Sequence, residues 1–411
     1  MKKKRLIQYY SPNLNFKKVL KALFVKDAKK KTREFYRHLT NKKYILLTSS
    51  CRSALYLTYK SMGKGLPVLV SPLTCSSALD PIYYSNNKIY FSDISWDTLN
   101  IDIKNRARIP TNVKVIQVIH LGGVPADMET IKKFARKRNI TIVEDCAQSF
   151  CAKYKGHYTG SFGDVSCFSL IKNAYGIGGG VLATNDYEIY RKAREYQENL
   201  EKIPTKVIIY RILRNIIETK RILSVYNYIF TNLMNLKNKF HDEYIDPKRQ
   251  FFDYVKQPNE ILFKIFIQQS FALNINHFNR VNNGLKILKR LASLGVGNNY
   301  KYINFKQITP SFTKLFIYIN NFDSSVGIKK LNSMGIMAKH LEQKYNSFYQ
   351  VENNLLERYS SAKFIGSYDK YRKIHHSLVS LPLNENFNNG EVEEIISKLQ
   401  LVVGKSSPGI G

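Results

Sequence analysis

Apolar residues arrive along this chain in short unbroken runs, separated by stretches with helical spacing. KYILLT (43–48), PVLVSP (67–72) and KIYFSDI (88–94) are short runs bounded by Ser, Pro, Asn and Asp, the punctuation of strands. VKVIQVIHLGG (113–123) and ITIVEDC (140–146) are nearly continuous, as expected of strands buried on both faces. Between them, a Ser-rich turn leads into a helix beginning near Arg52, and ADMETIKKFARKRN (126–139) has helical spacing with an acidic first turn. Strand alternating with helix predicts an α/β fold with a mostly parallel central sheet flanked by helices. In such sheets ligands collect at the carboxyl ends of the strands. His120, Asp145 and the SSCRS turn all fall at such ends.

Further along, the pattern changes. Ile208, Ile209, Ile212, Leu213, Ile216, Ile217 and Leu223 recur at helical spacing opposite Lys206, Arg211, Arg214, Lys220 and Arg221. This predicts a basic amphipathic helix within 203–240, suited either to packing on its own protein or to an anionic membrane surface. EILFKIFIQQSFALNINHFNRVNNGLKILKRLASLG reads as one or two long helices, and NGEVEEIISKLQLVV as a final one. The expected organisation is a basic segment at 1–40, a large α/β domain at 41–200 and a helical insertion at 201–255. A smaller α+β domain at 256–403 and an unstructured tail at 404–411 complete it.

Composition narrows the picture. The 411 residues carry 64 Lys and Arg against 31 Asp and Glu, a formal charge of +33. That balance has two readings: attraction to something anionic, or compositional drift, since the basic residues are spread along the chain. No nucleic-acid reader motif accompanies the charge, so specific nucleic-acid binding is not expected. Five cysteines form no C-x-x-C pair, the start lacks an apolar signal segment, and no window is apolar enough to span a membrane. The expected location is therefore cytoplasmic, with membrane association through 203–240 as the added possibility. No metal site is expected.

The chemistry centres on FSLIKNAYGIGGGVLATND, which places Lys172 between a strand end and a glycine cluster. The ordered set VIHLGGVPADM, TIVEDCAQSF, YKGHYTGSFGDVSCFSLIKN and GGGVLATND resembles the central block of the DegT/StrS family of sugar aminotransferases. The similarity extends upstream to SSCRSALYL and VSPLTCSSALDPIYY, and returns at SLPLNENFNNGEVEEIISKLQ. The resemblance implies the type I fold of pyridoxal-phosphate (PLP) enzymes, built as a large domain and a smaller C-terminal one.

The resemblance also assigns roles. Lys172 would hold the cofactor as a Schiff base and then move protons as a free amine. Asp145 would sit beneath the pyridine nitrogen and keep it protonated. Gln148 would lie near the ring oxygen, and Cys51, Arg52 and Ser53 would cradle the phosphate at a helix N-terminus. Ser169 would reach the same phosphate. His120 stays open between a place near the ring and a packed, hydrogen-bonded role. Glu144 alternates away from Asp145 and reads as structural.

Three departures stand out. Cys75 occupies the place of the family's ring-stacking aromatic residue, two residues are missing between Ser169 and Lys172, and the usual Asn-x-Arg stretch is not recognisable. The implied activity moves an amino group from an amino acid, L-glutamate by expectation, to a nucleotide-linked keto-sugar, in a homodimer. Its setting would be surface-polysaccharide or amino-sugar biosynthesis. Three alternatives stand beside it: a PLP-dependent sugar dehydratase, a non-sugar donor or acceptor, and a catalytically reduced member that binds a membrane or assembly partner.

Overall fold

The computed structural model describes residues 7, 14–219, 247–296, 305–340 and 359–404. The expected apolar runs become strands β1 (Tyr44–Thr48), β2 (Pro67–Val70), β3 (Lys88–Phe91), β4 (Val115–Ile119) and β5 (Thr141–Asp145). β6 (Val165–Ser169) and β7 (Gly180–Thr184) follow, and Lys363–Phe364 adds a last edge strand from the C-terminal part. The eight strands run in the order β1-β7-β6-β5-β4-β2-β3 and then the edge strand. Only β7 is antiparallel to its neighbours β1 and β6. The carboxyl ends of β1 through β6 therefore share one edge. Central strands β4, β6 and β7 are buried at every position, which accounts for their unbroken apolar sequence.

Helices cover both faces. On one lie α3 (Cys51–Met62), α4 (Ser76–Tyr84) and α6 (Tyr187–Glu198), with Leu55, Leu79, Ile82 and Ala193 packed on Val68, Val143 and Leu182. On the other, α5 (Met128–Arg138) buries Ile131 and Phe134 against Ile116 and Ile142. Beside it α2 (Ala28–Thr40) and α8 (Glu260–Ser270) bring Tyr36, Phe263 and Phe266 onto Phe168 and Val181. Helix α2 was not expected: its only buried residues are Ala28, Thr32, Tyr36, Leu39 and Thr40, and four of its first six residues are basic. The caps are local. Ser50 accepts from the Ser53 N–H at 3.0 Å to start α3, and Asp127 and Asp186 do the same for α5 and α6.

The C-terminal part has its own core. Antiparallel strands Leu315–Tyr318 and Leu378–Leu381 pack with α9 (Leu273–Ser293), α10 (Ser324–Ser333) and α11 (Asn389–Gly404) around Phe312, Ile317, Leu331 and Ile395. The long stretch after residue 259 thus forms two helices, α8 and α9.

The basic amphipathic stretch is helical at α7 (Thr205–Thr219), while the expected positions Lys220, Arg221 and Leu223 lie outside the described residues, as do 405–411. One apolar stripe of α7 packs inward. Ile208 is buried and Val207, Ile212 and Ile216 are half-buried against Leu14, Val19 and Leu262, from α8 and the segment holding α1 (Phe16–Leu23). Two expectations for this helix change. Ile209 and Leu213 face solvent, and Arg211, expected on the polar side, turns inward to Gly178. The reason is that α7 packs across its side rather than along its full apolar face. No helix among the described residues is long and apolar enough to cross a membrane.

Candidate active site

The carboxyl edge of the sheet brings most of the expected residues together. Strand pairing sets Asp145 opposite Ile119 on one side and Cys167 on the other, so β4 and β5 end level and β6 runs two residues further. Beyond β6, residues 171–179 form the turn that carries Lys172 before the chain returns as β7. Leu170 donates to the Gly179 carbonyl at 3.1 Å, Gly176 to the Leu170 carbonyl at 2.7 Å, and Tyr175 to the Lys172 carbonyl at 3.2 Å. Lys172 itself is half-buried.

β7 then passes directly beneath the start of α3. The Gly179 N–H donates to the Ser49 carbonyl at 2.9 Å. A side chain at Gly180 would come within 2.6 Å of the Cys51 nitrogen. Glycine is thus required there by close approach, and it brings the Lys172 turn against the helix N-terminus.

Asp145 is 5% exposed, with one oxygen accepting from the Ala147 N–H at 3.0 Å and facing the Cys51 sulfur at 3.7 Å. Burial raises its pKa, against the opposing pull of the Lys172 ammonium and these hydrogen bonds. A buried carboxylate short of positive charge is a receptor for a protonated group. At the start of α3, the N–H groups of the first turn have no intrahelical acceptor, and the Ser53 hydroxyl is fully buried without a partner. Arg52 stands beside them, bonded to the Ser77 hydroxyl and stacked 4.3 Å from the Tyr254 ring centroid. Cys75 caps α4 nearby, half-buried against the same core. Its thiol offers a small contact where a ring would give a broad one.

Other expected residues are committed elsewhere. His120 is fully buried. Its Nδ1 accepts from the Ala126 N–H at 3.1 Å, which assigns the ring proton to Nε2, 3.1 Å from Glu144. Of its two readings, the hydrogen bonds are those of the packed one. The Gln148 side-chain oxygen accepts from the Gly122 N–H at 3.0 Å, and Ser169 Oγ accepts from the Ile171 N–H at 3.3 Å. Ser169 thus shapes the first bend of the Lys172 turn.

Glu144 accepts from the N–H groups of Gly160, Phe162 and Gly163, and these bonds together with His120 hold its pKa low in spite of burial. His120, Glu144 and Cys146 lie close enough to suggest a metal centre. The carboxylate is already filled by hydrogen-bond donors, and burial pushes the Cys146 thiol pKa far up, away from the thiolate a metal needs.

Sequence reading missed three neighbours. Arg211 Nη1 lies 2.6 Å from where a Gly178 side chain would begin, and the guanidinium has no carboxylate partner among the described residues. Tyr254 carries Arg52 on its ring and accepts from both Ser49 and Ser50 through its carbonyl. Arg280, far along the sequence, grips the Lys172 turn. None has a motif of its own; the packing of α7, of α9 and of the turn after Phe252 brings them here.

An eight-stranded sheet with one antiparallel member, helices on both faces and a lysine turn over its carboxyl edge is the type I fold of PLP enzymes. Solved structures share it across nearly the whole chain. Helicobacter pylori PseC, an aminotransferase involved in pseudaminic acid biosynthesis, matches with a TM-score of 0.71 at 17% identity, covering 98% of this chain and 100% of that one. A GDP-4-keto-6-deoxymannose-3-dehydratase with a trapped PLP-glutamate geminal diamine matches with a TM-score of 0.73 at 18% identity, covering 96% and 99%. Residues 13–202 match the model of the DegT/DnrJ/EryC1/StrS aminotransferase family. Among individual proteins, GDP-perosamine synthase of Escherichia coli O157:H7 is 35% identical over 159 residues, 38% of this chain and 44% of that protein. The chain thus spans less than half the length of the curated relatives it matches.

Proposed function

We propose that the chain is a PLP-dependent aminotransferase that takes an amino group from an amino acid, L-glutamate by expectation, and passes it to a nucleotide-linked keto-sugar. The carrying observation is the pairing of Asp145, buried and short of positive charge, with an α3 start whose Ser53 hydroxyl is buried and unpartnered. Pyridoxal phosphate fits both: a protonated ring nitrogen suits the first and a phosphate dianion the second. When bound, the cofactor supplies an electron sink for the charge left as a proton leaves the amino-acid α-carbon.

Each residue then has a task. Asp145 would hold the ring nitrogen protonated, since burial leaves its carboxylate raised in pKa and open to a cationic partner. Arg52, with the Cys51 and Arg52 N–H groups at the start of α3, would anchor the phosphate. Lys172 would hold the cofactor covalently and, as a free amine, would move the proton at the amino-acid α-carbon. Cys75 would pack beside the ring, and Gln148, Ser169 and His120 hold the surrounding backbone. The family of residues 13–202 and the perosamine synthase likeness support a sugar acceptor and a role in amino-sugar biosynthesis. The positive balance of the chain favours an anionic, diphosphate-linked one. A second copy is the expected partner, and the exposed stripe Phe271, Ile275 and Phe278 offers it an apolar surface.

A dehydratase is the second reading, favoured by the structural likeness to GDP-4-keto-6-deoxymannose-3-dehydratase. The retained Lys172 weighs for transamination. The test is the visible absorption of the purified protein with PLP, before and after L-glutamate, beside Lys172→Ala. A yellow band bleached by glutamate, and absent from the variant, supports transamination. A band that glutamate leaves unmoved argues against that donor, and no band in either protein removes the cofactor assignment.

A further inference from the structure

The turn that carries Lys172 is gripped from beyond the sheet by a buried guanidinium. Arg280, on α9 and 4% exposed, gives one terminal nitrogen to the Asn173 side-chain oxygen and the other to both the Tyr175 hydroxyl and Glu385. Asn173 is tied a second time, donating to the Ser311 carbonyl at 3.1 Å. Tyr175 holds a left-handed backbone at φ 56°, a conformation a bulky aromatic keeps only when its surroundings impose it. Ile171, on the other flank of Lys172, is exposed. The turn is therefore anchored from one side, one and three residues after the lysine.

As a source of stability the pair is poorly built. Arg280 Nε and Glu385 Oε1 are both buried without a hydrogen-bond partner. A buried ion pair with unsatisfied atoms recovers little of its desolvation cost. What the guanidinium supplies is geometry: a planar fork that can hold two partners at fixed angles, which an ammonium cannot.

We propose that Arg280, itself held by Glu385, is a positioning residue for the Lys172 amine. It fixes the turn that carries the amine, and it makes the amine's placement depend on the C-terminal segment bearing Glu385. The proposal rests on the reading of Lys172 as the reacting amine, but its first test needs no cofactor.

The full chain without PLP is labelled with trace acetic anhydride across a pH series. Acetylation of Lys172 is measured by mass spectrometry against that of the exposed Lys192. The variants are Arg280→Lys and the double variant Arg280→Met with Glu385→Gln, which removes both charges while keeping volume, so that no unpaired buried charge hinders folding. In the double variant Lys172 labelling should change by at least about twofold, the smallest effect contact coupling ordinarily gives, with Lys192 unchanged. Arg280→Lys should follow the double variant, because it keeps the charge without the fork. Wild-type labelling of Lys172 in the double variant would overturn the proposal, and wild-type labelling in Arg280→Lys would overturn the role of the fork. A second arm adds PLP and borohydride and measures its attachment to Lys172. No attachment in the wild type, beside a labelling change in the variants, would end the functional reading and leave the positioning intact. Wild-type attachment beside unchanged labelling would do the reverse.

Discussion

Two neighbouring carboxylates at the end of β5 face opposite sides of the sheet and have opposite fates. Glu144 accepts hydrogen bonds from three backbone N–H groups and His120, and its pKa is held low although no part of it meets solvent. Asp145 has one backbone donor and a thiol, and burial carries its pKa up. Both were legible as buried acids at a strand end, yet only the second is left wanting a partner. The difference teaches where to look for chemistry. A satisfied buried charge is fastening, here of the 160–163 turn to the sheet, and an unsatisfied one is a receptor.

The largest expected effect lies on the receptor side. Lys172→Ala should lower transamination by at least about 10²–10⁴-fold, the usual contribution of a positioned acid–base group, with little change in melting temperature, since the side chain is half-buried at a turn. Single-turnover kinetics with L-glutamate check it. A comparable fall in Glu144→Gln with normal stability would erase the contrast between the two sides.

Next comes the fastening side. Glu144→Gln replaces an acceptor-only group with one whose NH₂ must face a backbone N–H of the 160–163 turn. A loss of about 1.5–3 kcal/mol in folding stability is expected, the range for hydrogen bonds to a charged group. Denaturant titration measures it. The sign with pH also follows: a depressed folded pKa gives stability that is present above the unfolded value of 4.5 and lost as pH falls through the folded pKa. The wild-type advantage over the variant should therefore shrink in acid.

Asp145→Asn should behave in the opposite sense. A raised folded pKa gives stability that is present below the unfolded value of 3.8 and lost as pH rises through the folded one. Without cofactor at neutral pH, the variant should be as stable as the wild type or more so. Its affinity for PLP should still fall, by about tenfold or more, through loss of one charge-assisted contact. Calorimetry of the cofactor-free protein and a PLP titration separate the two effects. A neutral-pH destabilisation as large as that of Glu144→Gln would show that Asp145 is fastening as well.

Much of this contrast could be read from the chain itself. The buried strands announce themselves by unbroken apolar runs, and Asp145 and the SSCRS turn sit at the strand ends that the alternation of strand and helix predicts, with Lys172 in the turn after β6. What escaped was set by distance in sequence. Helix α2 hides because it buries few residues of high hydropathy. Arg211 and Arg280 read as ordinary basic residues until helices after residue 204 turn them toward Gly178 and Asn173. His120 was open between two roles because nothing in VIHLGG shows that Glu144 and the Ala126 N–H would take both its nitrogens.

The smallest effect extends the comparison to a base one turn before Arg280. His277 has its pKa lowered from 6.5 to about 4, chiefly by burial and then by the neighbouring charges of Arg280 and Lys153. Like Glu144 it has a depressed folded value, so its contribution is present above the unfolded pKa and lost as pH falls from 6.5 toward 4. The cause is opposite: burial keeps His277 neutral, and among the described residues no hydrogen-bond acceptor or counter-charge rewards its protonated form. The full shift would correspond to about 3 kcal/mol, and partial exposure of the ring brings the expected loss nearer ~1 kcal/mol. His277→Gln should flatten stability over this window without altering it at pH 8, as melting temperatures across the series would show. A flat wild-type profile would mean that the ring finds a partner in acid, placing His277 with the satisfied groups.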